Sequence, residues 1–128
     1  MFKDFVMVLA VILLLGIGSC AAAADHQWDR QWDNKEVALG VTALALHVID
    51  WKQTQMIVKT PGYYEQNLLL GKYPSMSAVN THFLISGLLV AGLAHFVPEY
   101  RKEILSVYVV VQTVNTVRNY SIGLRVKF

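Results

Sequence analysis

The chain has 128 residues, 55% of them hydrophobic and only 16% charged, with 11 basic residues against 9 acidic ones. That length holds one domain, and the apolar bias excludes a disordered chain. The charges form no basic stripe, which excludes a nucleic-acid binder, and a single cysteine excludes a disulfide framework or a multi-cysteine metal site.

The chain opens with Lys3, runs apolar over residues 5–17, passes through Gly18, Ser19, Cys20 and four alanines, and turns polar at Asp25. A charged start, an apolar stretch and small residues at the end form the layout of a secretory signal peptide. Residues 1–24 are therefore expected to be a leader and 25–128 a single envelope domain. Two alternatives share these residues. Ile17-Gly18-Ser19-Cys20 resembles a lipobox, and residues 5–24 are long enough for a retained anchor. The mean hydropathy of the whole chain is +0.41. The leader carries most of it, so the remainder averages near zero, between a compact soluble domain and a bundle of shortened, polar-lined spans.

Residues 25–34 are polar and aromatic, with Trp28 and Trp32 four apart and so on one side of a helix. This suits an interfacial surface helix or, equally, two aromatics capping the domain core. Asn34 then reads as the cap of a helix with Glu36 in its first turn, followed by the apolar run 37–49 and a polar continuation to Val58. Thr60-Pro61-Gly62 ends it. A long loop follows, whose tyrosines and leucines predict that it is packed rather than free. Ser75 or Ser77 caps the next helix, 78–97, stopped by Pro98; Asn80, Gly87, Ala91 and Ala94 share one of its sides and suit close helix contact. The last helix, 104–119, sets Gln112, Asn115, Thr116 and Asn119 opposite Val107, Val110, Val114 and Val117. The final residues alternate and end on Phe128, as in outer-membrane barrels. The apolar runs 37–49 and 83–97 show no alternation, however, so a short extended tail is expected instead.

His47, Asp50 and Thr54 fall on one helical face. An aspartate in such apolar surroundings needs a partner, and His47, His82, Lys72 and Arg118 are the candidates. With Glu65, the two imidazoles and two carboxylates have the composition of a metal site, although no H-E-x-x-H occurs. Asp50 and Glu65 are also the raw material for an acid–base pair acting on sugars. Nucleophile-elbow, P-loop and dinucleotide signatures are absent, and no cofactor is implied.

The string Asp50-Trp51-x-Gln53-Thr54, then Pro61, Tyr64-Glu65-x-Asn67-x-Leu69-Leu70-Gly71, Pro74-Ser75, Val79-Asn80 and Asn119-Tyr120-Ser121-Ile122-Gly123 resembles a group of short, uncharacterised, exported bacterial and phage-associated proteins. The resemblance implies no activity. It marks Asp50, Gln53, Thr54, Glu65 and Asn67 as the positions to test first. The candidate buried polar network is then His47, Asp50, Gln53, Thr54, Glu65, Asn67, His82, Arg118 and Asn119. The reading is an all-α bundle of three main helices behind a leader or anchor, located in the inner membrane or periplasm. Its expected role is structural or interactive, not enzymatic. A bacterial membrane or another envelope protein is the expected partner, and self-association into a homo-oligomer is open. Glu65 and Asn67 are expected to bond back to the Asp50–Thr54 stretch. The alternative is a small enzyme or metal-binding protein built on His47, Asp50, Glu65 and His82.

Overall fold

The computed structural model describes residues 30–126. The leader, its cleavage or lipidation site, and the last two residues of the tail lie outside that range. Of the surface helix expected over 25–34, residues 30–34 are described; 30–33 are not helical and Asn34 opens the first helix. Three helices follow: α1 (Asn34–Lys59), α2 (Met76–Phe96) and α3 (Arg101–Ser121), with a single 3-10 turn (Pro98–Tyr100) between the last two. The described residues contain no strand. The described residues are all-α, and three helices over 34–121 leave no room there for the barrel alternative.

The N-cap of α1 is Asp33, not Asn34. Asp33 accepts from the Glu36 backbone N–H at 2.8 Å, while the Glu36 carboxylate accepts from the Asp33 N–H at 3.0 Å. This reciprocal capping box satisfies two amides the helix would otherwise leave unpaired. The helix ends where proline forces it to. Thr60, Pro61, Gly62 and Tyr63 form a turn closed by Tyr63 N–H on the Thr60 carbonyl, with Gly62 at φ 90°, a conformation only glycine adopts without strain. Ser75 caps α2 by accepting from the Ala78 N–H at 3.1 Å. α3 starts at Arg101, three residues before the expected position.

α1 packs most extensively against α3, and α2 touches both. Cross-helix bonds pair the start of α1 with the start of α3, and the middle of α1 with the middle of both others. The bundle therefore runs up, down, up, with α1 and α3 parallel. Its apolar core is small, with Ala43, Ala94 and Leu105 at the centre and Leu39, Tyr108 and Val109 around them. Alanines from α1 and α2 let the backbones approach closely.

The distribution of side chains is inverted relative to a water-soluble bundle. Glu36 is 0% exposed, and Arg101 and Gln53 are 1% exposed, whereas Leu44, Leu88 and Val110 are 64%, 65% and 62% exposed. The polar stripe of α3 turns inward at Gln112, and its valines at 110, 114 and 117 face out. α2 is long and apolar enough to cross a membrane, and only 11% of its apolar window is buried.

Candidate functional site

Four tiers of polar side chains stack along the bundle interior. The first is a clasp at the start of α1. The Arg101 guanidinium donates through Nη1 to Glu36 at 3.1 Å and through Nε to the Ala94 carbonyl at 2.7 Å. The second bond satisfies a carbonyl in the last turn of α2, where the helix end favours a cation. Arg30 also pairs with Glu36, and the Trp32 ring lies 4.4 Å from the Arg101 guanidinium. Outside the clasp, Lys102 meets Asp33 at 2.6 Å. Its hydrogen bond and charge hold the Asp33 carboxyl below the ordinary value of 3.8.

The second tier centres on His47. Its Nε2 lies 2.9 Å from the Phe83 carbonyl, which can only accept, so Nε2 carries the proton. Nδ1 is then the acceptor, and the Tyr108 hydroxyl donates to it at 2.5 Å. Gln112 in turn donates to the Tyr108 oxygen at 2.8 Å. Both imidazole nitrogens are thus engaged, each by a different helix. The ring fits because α2 has glycine beside it: a Cβ at Gly87 would come within 2.9 Å of Nε2.

The third tier joins the lower half of α1 to its neighbours. Asp50 is buried and accepts from Asn119 Nδ2 at 3.0 Å. None of the proposed partners His47, His82, Lys72 and Arg118 bonds it. Arg118 instead reaches the loop, where it donates to Gln66. Gln53 donates to the carbonyls of Thr116 at 3.3 Å and Leu124 at 3.1 Å, stitching the start of the tail to the bundle. Thr54 is buried as well. On the other flank, Trp51 and Gln55 both donate to Asn80 Oδ1, at 2.9 and 2.8 Å. Among the described residues, Gln53 Oε1, Gln112 Oε1 and Thr116 Oγ1 are buried without a partner in the protein.

The fourth tier is the loop. Asn67 donates to His82 on α2 at 3.2 Å and accepts from its own loop's Leu69 N–H at 3.0 Å. Glu65 accepts from the Gln66 and Asn67 amides, both at 2.7 Å. The loop is therefore pinned, but to α2, to the C-terminal end of α3 and to itself. The expected bonds from Glu65 and Asn67 to the Asp50–Thr54 stretch do not form. Tyr63 closes the loop base by donating to the Ile122 carbonyl at 3.0 Å.

Glu65 lies within electrostatic reach of Asp50 and His82, yet these carboxylates and imidazoles do not converge on one point. Among the described residues, no group of three or more His, Cys, Asp or Glu side chains is placed to hold a metal ion. An open depression of about 260 Å³ lies at the loop end, lined by residues that include Ile57, Pro61, Tyr63 and Lys72. Neither Asp50 nor Glu65 lines it. Sequence reasoning missed Arg101 and Tyr108, and placed Gln112 and Asn80 on helix faces without including them in the network. The Asp33-x-x-Glu36 spacing announces the capping box, and Tyr108 and Gln112 at i, i+4 announce a shared face. Nothing local announces the pairing of residues 36 and 101.

Comparison of the chain with known protein families, with curated proteins and with solved structures finds no match.

Proposed function

We propose that the protein is a small membrane-embedded helical bundle of the bacterial envelope with a structural or interaction role. The inverted side-chain distribution carries this reading. In water, Leu44, Leu84, Ile85, Leu88, Leu89 and Val110 would all stand exposed, and large exposed apolar patches mark interaction or membrane surfaces. In a bilayer the same belt is solvated by lipid, and the polar groups must satisfy one another inside. The four tiers do that for the buried side chains described above, apart from Gln53 Oε1, Gln112 Oε1 and Thr116 Oγ1. α2, at 21 residues and 1.5 Å per residue, is about 31 Å long, close to the hydrocarbon thickness of roughly 30 Å.

The internal bonding supports a non-enzymatic role. Both nitrogens of His47 and the carboxylates of Asp50 and Glu65 are held by protein groups, and the depression at the loop end bypasses Asp50 and Glu65. Alkaline carbonate extraction of membranes from expressing cells tests the embedding. The protein is expected in the pellet, and its release into the supernatant would refute the reading.

A further inference from the structure

We propose that the loop-bearing end of the bundle faces the cytoplasm, with its cations set against the anionic headgroups of that leaflet, and that the Glu36–Arg101 end faces the opposite side. This rests on the membrane-embedded reading. Because α1 and α3 are parallel, their C-terminal halves gather at the same end as the long loop. Lys52, Lys59, Lys72, Arg118 and Arg125 all lie there, and all are exposed. None has a carboxylate partner among the described residues. Apart from the buried Asp50, the one acid at this end is Glu65, and its carboxylate is occupied by two loop amides.

The other end is balanced. Arg30, Lys35, Arg101 and Lys102 stand against Asp33, Glu36, Glu99 and Glu103, and three of those four cations are ion-paired within the protein. The end with more Lys and Arg close to the span ends, here five against four of which Arg101 is buried, is the one retained on the cytoplasmic side during insertion, and the anionic headgroups of that leaflet attract such basic side chains. The loop is also equipped to lie in the headgroup layer. Tyr64, Leu68, Leu69 and Tyr73 are exposed, and the Lys72 ammonium sits 5.2 and 5.3 Å from the two tyrosine rings. Arg125 lies 5.1 Å from the Tyr120 ring. Aromatic rings flanking cations are the usual furniture of that interface, and Lys52 and Arg118, higher on the helices, reach it by extending their stems.

The test uses the full chain with Cys20→Ala and one new cysteine, either Leu68→Cys in the loop or Glu99→Cys in the 3-10 turn. Intact spheroplasts and lysed cells are treated with a membrane-impermeant maleimide. Glu99→Cys is expected to label in intact spheroplasts, and Leu68→Cys only after lysis. Labelling in the reverse order, in a protein that carbonate leaves in the membrane, overturns the orientation alone. Release by carbonate overturns the embedding as well. In a second arm, Lys59→Gln, Lys72→Gln and Arg125→Gln are combined. A mixed population, with Leu68→Cys labelling in both preparations, is expected. An orientation unchanged by losing three of the five cations would overturn the claim that they set it.

Discussion

Replacing Arg101 with methionine keeps the aliphatic stem and removes the guanidinium from a site that is 1% exposed. Several interactions vanish together: the 3.1 Å bond to Glu36, the 2.7 Å bond to the Ala94 carbonyl, the two 3.4 Å bonds to the Arg30 carbonyl, and the contact with the Trp32 ring. Hydrogen bonds involving a charged group contribute about 1.5–3 kcal/mol each, and removing one partner of a buried pair costs about 3–5 kcal/mol. Glu36 keeps Arg30 and the Asp33 amide as partners, so its carboxylate is not wholly stranded and the lower part of the range applies. We expect Arg101→Met to lose about 3 kcal/mol, measured by denaturant unfolding in detergent micelles with helical circular dichroism as the signal. The slope of the transition should be unchanged, since the same surface is exposed on unfolding. Glu36→Gln, which keeps shape and capping but drops the charge, should lose less. A cost below about 1 kcal/mol for Arg101→Met would mean that water reaches the pair and that the clasp does not hold the helices.

The remaining predictions follow the tiers downward. Gly87→Ala drives a methyl to within 2.9 Å of a ring fixed on both sides. It should cost about 1–3 kcal/mol by overpacking, less the ~1 kcal/mol that alanine gains in a helix. Gly92→Ala, with nothing within 4 Å, should be neutral or stabilising, and equal melting temperatures for the two variants would refute the crowding argument. Asp50→Ala leaves the Asn119 amide unpaired and should cost about 1–3 kcal/mol, whereas Asp50→Asn, which relieves a buried charge that has no cation partner, should be neutral or stabilising. If both cost the same in thermal unfolding, Asn119 is not the partner that matters. Asn67→Ala removes the His82 bond and the bond to the Leu69 amide. Hydrogen exchange over residues 65–71 should then speed up, and an unaltered exchange pattern would show that the loop is held by other means.

The ends of the helices were legible because proline, glycine and serine act locally. Thr60-Pro61-Gly62, Ser75 and Pro98 stop or start helices where the sequence alone places them. The cap of α1 was misplaced by one residue because Asn34 and Asp33 are both good caps; Glu36 decides for Asp33 by closing the box from three residues away. α3 starts at Arg101 and not at Ile104 because Arg101 is charged, helical and buried at once. The face carrying His47, Asp50 and Thr54 was also legible, as helical spacing alone defines it, and all three side chains are buried. Periodicity reports that a helix has two faces without reporting which one meets its neighbours, so the inward turn of the α3 polar stripe could not be read. Partner choice was the least legible property of all. Asp50 finds Asn119, and Asn67 finds His82, through a helix order that no local spacing encodes.

The parallel pairing of α1 with α3 bears on how such a bundle is assembled. α2 is apolar enough to rest in lipid unaided, but α1 carries Glu36, His47, Asp50 and Gln53, and their partners Arg101, Tyr108, Asn119 and Thr116 all belong to the helix made last. An aspartate near the middle of a lone helix opposes insertion by about 2.5–3.5 kcal/mol. On the membrane-embedded reading proposed above, the first helix waits during synthesis, at the translocation channel or in the interfacial layer, until the third has emerged. The two polar helices then enter together, with α2 between them in the chain but contributing few of the side chains that make entry favourable. A chain truncated before Arg101 would lack that completing helix, and quality-control proteases would meet it as an unassembled α1 with its carboxylates uncovered.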